Sequence, residues 1–258
     1  MKILVCVKQV PDMESRFRPD AAGVWYAETD LAFRVNEYDE YAIEQAVLLK
    51  EQLGGEPEIT LLSVGPDRVV EAIKKGLAMG ADRAVHVRDP ESHLKDPFQI
   101  ASIIAAYAKG EEFDLIFTGM QSLDRGSTQV GVAVAEALGY ACATTVVAFE
   151  YADGTVTVER ELEGGVKGTV RLKAPALITC QLGLNQPRYP TLPNIMKAKK
   201  KEVNVVPVEQ LLQQEARLVL AQFSAPAKKG GGVILEGDVA DQVDRLIGIL
   251  KDKTAVLR

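Results

Sequence analysis

The stretch "FDLIFTGMQSLDRGSTQVGVAVAEALG", residues 113–139, decides the fold. It opens with a short apolar, β-rich run that ends at Gly119, passes through a polar turn, and closes on a helix-forming segment bounded by Gly139. Strand, loop and helix in that order make the repeating unit of an α/β protein. Similar units precede it. "ILVCV" (3–7) is an apolar strand, and "NEYDEYAIEQAVLLKEQLGG" (36–55) is a helix. Asn36 sits at its N-cap with Asp39 three residues on, Tyr38, Ala42, Ala46, Leu49 and Leu53 form one face, and Gly54-Gly55 end it. "EITLLSV" (58–64) is a strand before a helix that Pro66 opens and that runs to about Met79. "RAVHV" (83–87) precedes a helix with Asp96-Pro97 at its start and Ile100, Ile103, Ile104 and Tyr107 on its face. This alternation predicts a parallel sheet with helices on both sides.

From about residue 145 the texture changes. The run to Cys180 carries a hairpin signal at Asp153-Gly154 and two more β-rich stretches separated by Gly164-Gly165, so an antiparallel excursion is expected, returning to the main sheet with "ALITCQL". The expected organisation is one α/β domain over 1–201 and a C-terminal arm over 202–258. The arm contains a flexible "APAKKGGG" linker (225–232) and an amphipathic helix with Val239, Val243, Leu246, Ile247 and Leu250 on its stripe.

Composition narrows the function. The 258 residues are 47% hydrophobic and 26% charged, as in an ordinary globular chain, and the net charge of -6 argues against a nucleic-acid partner. "MKILVCVKQV" has too short an apolar run for a secretory segment and no stretch is long enough to span a bilayer, so a soluble, cytoplasmic protein is expected. Cys6, Cys142 and Cys180 fall in apolar runs at spacings that suit neither a zinc site nor a disulfide framework, and buried reduced thiols are expected.

In an open parallel sheet, ligands sit beyond the carboxyl ends of the strands. Loops there include "VKQVPDMES" without a GxGxxG fingerprint, "SVGPD" with Gly65 available for close approach, and "TGMQSLDRGSTQVG". In the last, Ser127, Thr128 and Gln129 open a helix, whose backbone amides and dipole suit a phosphate; the alternative is a plain polar turn. Convergence of these loops on one edge points to an adenine nucleotide. No catalytic set emerges: His86 lies in a strand, His93 in a loop, and Glu161 and Glu163 read as a solvated face.

One segment resists this reading. "LGLNQPRYPTLPNIMKAKKK" (182–201) places three prolines and apolar side chains before a cluster of lysines. It resembles the signature segment of the electron transfer flavoprotein beta subunit family, and "VERELEGGVKGTVRLKAPALIT" resembles a second signature before it. The resemblance runs in order through "VKQVPD", "NEYDEYAIEQAVLLKE", "SVGPDRVVEAIKKGLAMGADRAVHV" and "TGMQSLDRGSTQVG", covering about the first 205 residues. It implies a Rossmann-like, adenine-nucleotide-hydrolase-like sheet in a non-catalytic subunit. That subunit would pair with an alpha subunit holding redox-active FAD and carry electrons from dehydrogenases, such as acyl-CoA dehydrogenases, to a membrane quinone oxidoreductase.

The same resemblance implies an AMP pocket formed by Val7, Lys8, Asn36, Val64, Gly65, Pro66, Gly119, Met120, Gln121, Asp124, Ser127, Thr128, Gln129 and Val130. Met13 and Tyr38 would approach the alpha-bound flavin. Pro187, Arg188, Tyr189, Leu192, Pro193, Ile195, Met196, Lys197, Lys199, Lys200 and Lys201 would form a docking surface for the donor dehydrogenase within a recognition loop over 184–201, with Leu192 as apolar anchor. Prolines lower the entropy lost on docking and lysines steer an acidic partner, whereas the plain reading of the lysines is a solvated face. Some relatives bind a second FAD in place of AMP and support electron bifurcation; "STQVG" has their flavour, while "NEYDEYAIE" resembles the AMP class. Arg125, Lys167 and Gly168 depart from the family pattern. Rival readings are a stand-alone nucleotide-binding module of the universal-stress type and an ATP-using enzyme.

Overall fold

The computed structural model describes residues 1–212, 214–224, 226–227 and 230–255. In chain order, β1 (Lys2–Cys6) leads through a small antiparallel ribbon, β2 (Gln9–Pro11) and β3 (Phe33–Val35), into α1 (Glu37–Gln52) and β4 (Glu58–Gly65). Next come α2 (Val70–Met79), β5 (Arg83–Arg88), α3 (Pro97–Lys109), β6 (Leu115–Gly119) and α4 (Val130–Leu138). The excursion is β7 (Ala141–Ala152), β8 (Thr155–Glu161) and β9 (Lys167–Lys173), and β10 (Ala176–Cys180) returns the chain to the sheet. The remaining elements are α5 (Leu192–Ala198), β11 (Val203–Pro207) and α6 (Val239–Lys253).

The nine-stranded sheet has the order β11-β5-β4-β1-β6-β10-β7-β8-β9. It is parallel from β11 through β7 and antiparallel where β8 and β9 are added. This is the α/β architecture that the alternation predicts. Period-two side-chain direction divides each strand between two core layers. Ile3 and Val5 of β1 join Ala42, Ile43 and Ala46 of α1 and Ile73 and Leu77 of α2. Leu4 and Cys6 instead join Ile103 and Ile104 of α3 and Val134 and Ala135 of α4. Buried on both faces, such strands read as continuous apolar runs. The hairpin forms at the expected place, with Asp153 and Gly154 at φ 48° and 77°, the left-handed pair that a tight two-residue turn needs.

Some expectations change. The boundary drawn after Lys201 falls inside the first compact unit, Met1–Ser224, because β11 extends the sheet edge by pairing Val203–Pro207 with Ala84–Arg88 of β5. Between Gly65 and α2 the chain first makes a 3-10 turn, Asp67–Val69. Cys6 and Cys180 are buried free thiols whose pKa burial raises, but Cys142 is only half-buried. The second unit, from residue 225, contains α6, capped by Asp238, whose carboxylate accepts from Asp241 N at 2.9 Å. Of the linker expected over 225–232, residues 225, 228 and 229 lie outside the described residues.

Candidate nucleotide-binding cleft

From β1 the chain proceeds to β4 and β5 on one side, and β6 then lies on the other, so the strand order reverses between β1 and β6. A crevice is expected beyond the carboxyl ends at such a point. A cleft lies there, open to solvent at its mouth. Residues at or just beyond the carboxyl ends of β1, β4 and β6 converge on it: Val7 and Lys8, Val64 and Pro66, and Gly119, Met120 and Gln121. Asn36, Asp124, Ser127, Thr128, Gln129 and Val130 complete the expected wall.

Gly65 is not part of that wall. It packs behind it, where an added Cβ would lie 2.6 Å from Val69 Cγ1, and its carbonyl accepts from His86 Nε2 at 2.8 Å. His86 is thereby a structural residue of the strand. Met13 and Tyr38 also lie off the cleft wall. Met13 is exposed, and Tyr38 is buried with its hydroxyl accepting from Gln121 Nε2 at 3.0 Å.

Asp39 organises the inner side. Its carboxylate accepts from Lys8 N at 2.7 Å, Gly119 N at 3.1 Å and Asn36 Nδ2 at 2.9 Å, joining the ends of β1 and β6 to the start of α1. Burial pushes the Asp39 carboxyl up to about 7, against the pull of these donors. Gly119 permits the approach: a Cβ there would stand 2.3 Å from Asp39 Oδ1 and 2.7 Å from Tyr38 Cβ. Asn36 takes the N-cap position, but its side chain does not cap α1. Nδ2 donates also to Gln121 O at 2.8 Å and Oδ1 accepts from Leu123 N at 3.0 Å, so Asn36 holds the loop after β6. Lys8 Nζ reaches both Asp124 oxygens at 2.7 Å and lies 3.3 Å from Ser122 Oγ. Burial lowers the Lys8 pKa, and Asp124 opposes that shift.

The outer side was not legible as a site. Arg125 donates to Lys95 O at 2.9 Å and to His93 O, and its guanidinium lies over the Trp25 ring at 4.7 Å. Trp25 packs against Tyr26 (ring centroids 4.4 Å apart) and His93 (5.7 Å). Trp25, Tyr26, Arg68 and His93 all line the cleft. The chain's lone tryptophan was the available signal.

The residues fit an anionic nucleotide on several counts. At the start of α4, Gln129 makes no side-chain cap, leaving the first helical amides for a ligand or water. Thr128 holds φ at 56°, an uncommon conformation for a β-branched residue and one that concentrates at binding sites. Thr118 Oγ1 and Trp25 Nε1, both buried in the cleft wall, lack hydrogen-bond partners among the described residues. Among the described residues there is no cluster of metal-binding side chains and no helix long and apolar enough to cross a membrane.

The proline-lysine segment is less loop-like than its sequence. Thr191 caps α5 by accepting from Asn194 N at 3.4 Å, and Pro193 occupies the first turn. Tyr189 (94% exposed), Leu192 (78%) and Met196 (58%) stand out with Pro193, Ile195, Lys197, Lys199 and Lys200 in solvent. Pro187, Arg188 and Lys201 are partly buried. Arg188 faces inward, forking onto Glu44 at 2.8–3.1 Å and onto Glu51 at 2.6 and 3.0 Å. Lys201 donates to Ala81 O and to Leu77 O at 3.3 Å, closing the end of α2.

Residues 23–211 match the family model described as "Electron transfer flavoprotein domain". The chain is 34% identical over 260 residues to the electron transfer flavoprotein subunit beta of Methylophilus methylotrophus, covering 98% of each. It is 35% identical over 263 residues to the same-named protein of Bacillus subtilis (strain 168), with each chain covered fully. Identity to the mitochondrial subunit beta of Oryza sativa subsp. indica is 40% over 262 residues, again with full coverage. On this match, which spans the sheet, the cleft and α5, the chain belongs to the electron transfer flavoprotein family, among its beta subunits.

Proposed function

We propose that this chain pairs with an alpha subunit carrying redox-active FAD, completes that flavin's site, and forms with it a cytoplasmic carrier. The carrier moves electrons from donor dehydrogenases, such as acyl-CoA dehydrogenases, to a quinone oxidoreductase. The chain itself contributes binding surfaces and no covalent chemistry. Its cleft holds AMP as a structural ligand, with the phosphate at the start of α4 and the base among the apolar side chains of the wall. Convergence of the three strand ends on an uncapped helix start is the observation that carries this reading.

Docking of the donor falls to α5. Leu192 and Met196 offer an exposed apolar anchor, flanked by the cations of Lys197, Lys199 and Lys200. The amphipathic α6 supplies a face for the alpha subunit.

The test is reconstitution. The alpha subunit is purified with and without this chain, and flavin retention and reduction by the donor are followed in stopped flow. The reading expects tight FAD and rapid reduction only in the pair. A chain that self-associates and ignores the alpha subunit would favour a stand-alone nucleotide-binding module instead.

A further inference from the structure

The lysines that close the proline-lysine segment are not alike. Lys197, Lys199 and Lys200 are exposed, and their side chains make no ion pair or hydrogen bond among the described residues. Lys201 is partly buried and turns back, its Nζ donating to Ala81 O and to Leu77 O at 3.3 Å. These acceptors lie in the last turn of α2 and just beyond it, where helical carbonyls lack partners and the helix dipole favours a cation. Gly76 O is met there by the N–H groups of Gly80 and Ala81, and Leu77 O is met by Lys201 from 124 residues away.

α5 needs such a tie. At seven residues it is too short to hold itself as a helix in water, and most of its side chains face solvent. Its leading end is fixed by directional bonds: Thr191 caps it, Arg188 forks onto Glu44 and Glu51, and Asn185 Nδ2 donates to Tyr41 O at 3.0 Å and to Gln45 Oε1 at 3.2 Å. At the trailing end Ala198, 2% exposed, seats the helix on the core, and β11 begins at Val203. A methyl contact fixes how close the helix comes but carries no directional bond, and β11 holds the chain only after it has turned away. Between Leu192 and Glu202, among the described residues, Lys201 is the one whose side chain makes hydrogen bonds.

We propose that Lys201 is a positioning residue for docking of the donor dehydrogenase. Its ammonium, seated on the Leu77 and Ala81 carbonyls, pins the trailing end of α5 to α2 and so sets the direction in which Leu192 and Met196 face the donor. Lys197, Lys199 and Lys200 supply the steering charge, and the four cations divide between two tasks. The division matters because the two tasks leave different traces. A free rim cation changes the association rate and its dependence on salt, whereas a fixed scaffold lowers the ordering cost of binding at every ionic strength.

The inference rests on the reading of α5 as the donor-docking element. It is tested on the full heterodimer, with flavin reduction by the reduced donor dehydrogenase followed in stopped flow across donor concentration and at several salt concentrations. The variants are Lys201→Met, Lys201→Gln, Lys200→Met, Leu192→Ala and Lys201→Met combined with Leu192→Ala, each checked for alpha-subunit pairing by size exclusion. Both neutral Lys201 variants should raise the half-saturating donor concentration at least about threefold, keep the limiting rate, and run parallel to wild type in salt dependence. Lys200→Met should flatten that salt dependence. Lys201→Met should add little once Leu192 is alanine, because it acts through the placement of that side chain. Unchanged half-saturation in the Lys201 variants would overturn the positioning role, as would a flattened salt dependence like that of Lys200→Met or full additivity with Leu192→Ala. If Leu192→Ala itself leaves half-saturation unchanged, the docking reading of α5 fails and the positioning role fails with it.

Discussion

Replacing Arg188 by alanine separates an internal anchor from a docking contact. Arg188 Nε and Nη2 bond Glu44, whose side chain is 4% exposed, while its bonds to Glu51 reach a carboxylate that is 55% exposed. Breaking a buried ion pair by removing one partner costs about 3–5 kcal/mol, and an exposed pair contributes below about 1 kcal/mol. The Arg188 backbone N–H would still donate to Glu44 Oε2 at 3.0 Å, and water could enter beside it. Those two compensations lower the expected loss to about 2–4 kcal/mol. Urea unfolding of the heterodimer, followed by circular dichroism, should show a lower midpoint at unchanged slope. Glu44→Gln in the same chain should recover much of the loss, because no buried charge is then left unpaired. Stability within about 0.5 kcal/mol of wild type, with slowed reduction by the donor, would refute the anchor and return Arg188 to the docking surface.

Gly119→Ala should cost at least about 1–3 kcal/mol and release nucleotide, because its Cβ would strike Asp39 and Tyr38 and displace the Gly119 N–H from Asp39; urea unfolding and nucleotide content check both. Leu192→Ala, at a 78% exposed site, should leave stability within about 0.5 kcal/mol while slowing flavin reduction by the donor dehydrogenase in stopped flow. The Asp39 carboxyl is raised to about 7, so between about pH 4 and 7 the folded chain holds a proton that the unfolded chain has lost. Its contribution to stability is full below about pH 4 and is lost as pH rises through 7. Asp39→Asn should therefore flatten the fall in unfolding midpoint between pH 5 and 8, and parallel profiles would contradict it.

Much of the fold could be read from local pattern. Runs such as "EITLLSV" and "ALITC" are largely apolar because the strands they form are covered on both faces, and Asp96-Pro97 marks the start of α3 by local capping chemistry, Asp96 accepting from Gln99 N at 2.7 Å. What escaped depends on distant partners. "VNVVP" is valine-rich, but so short a run after a lysine cluster does not name its partner, and it becomes β11 by pairing with β5 at the edge of the sheet. Asn36 reads as a helix cap from its neighbours alone, yet beside its local bond to Asp39 its side chain holds Gln121 and Leu123, 85 and 87 residues away. The strand-end loops of the cleft were legible from topology. The Trp25-Arg125 wall was not, since nothing local ties a tryptophan before β3 to an arginine after β6. Arg188 reads as one more surface cation, and Glu44 and Glu51 on α1 turn it inward.

The central claim is that this chain holds a structural mononucleotide and lends its surfaces to a flavin carried by an alpha subunit. The most direct measurement is to purify the co-expressed heterodimer, denature it, and count the released nucleotides by chromatography. The account predicts one FAD and one AMP per heterodimer. Two FAD with no AMP would contradict it and make the stretch from Asp124 to Gln129 the wall of a second redox site.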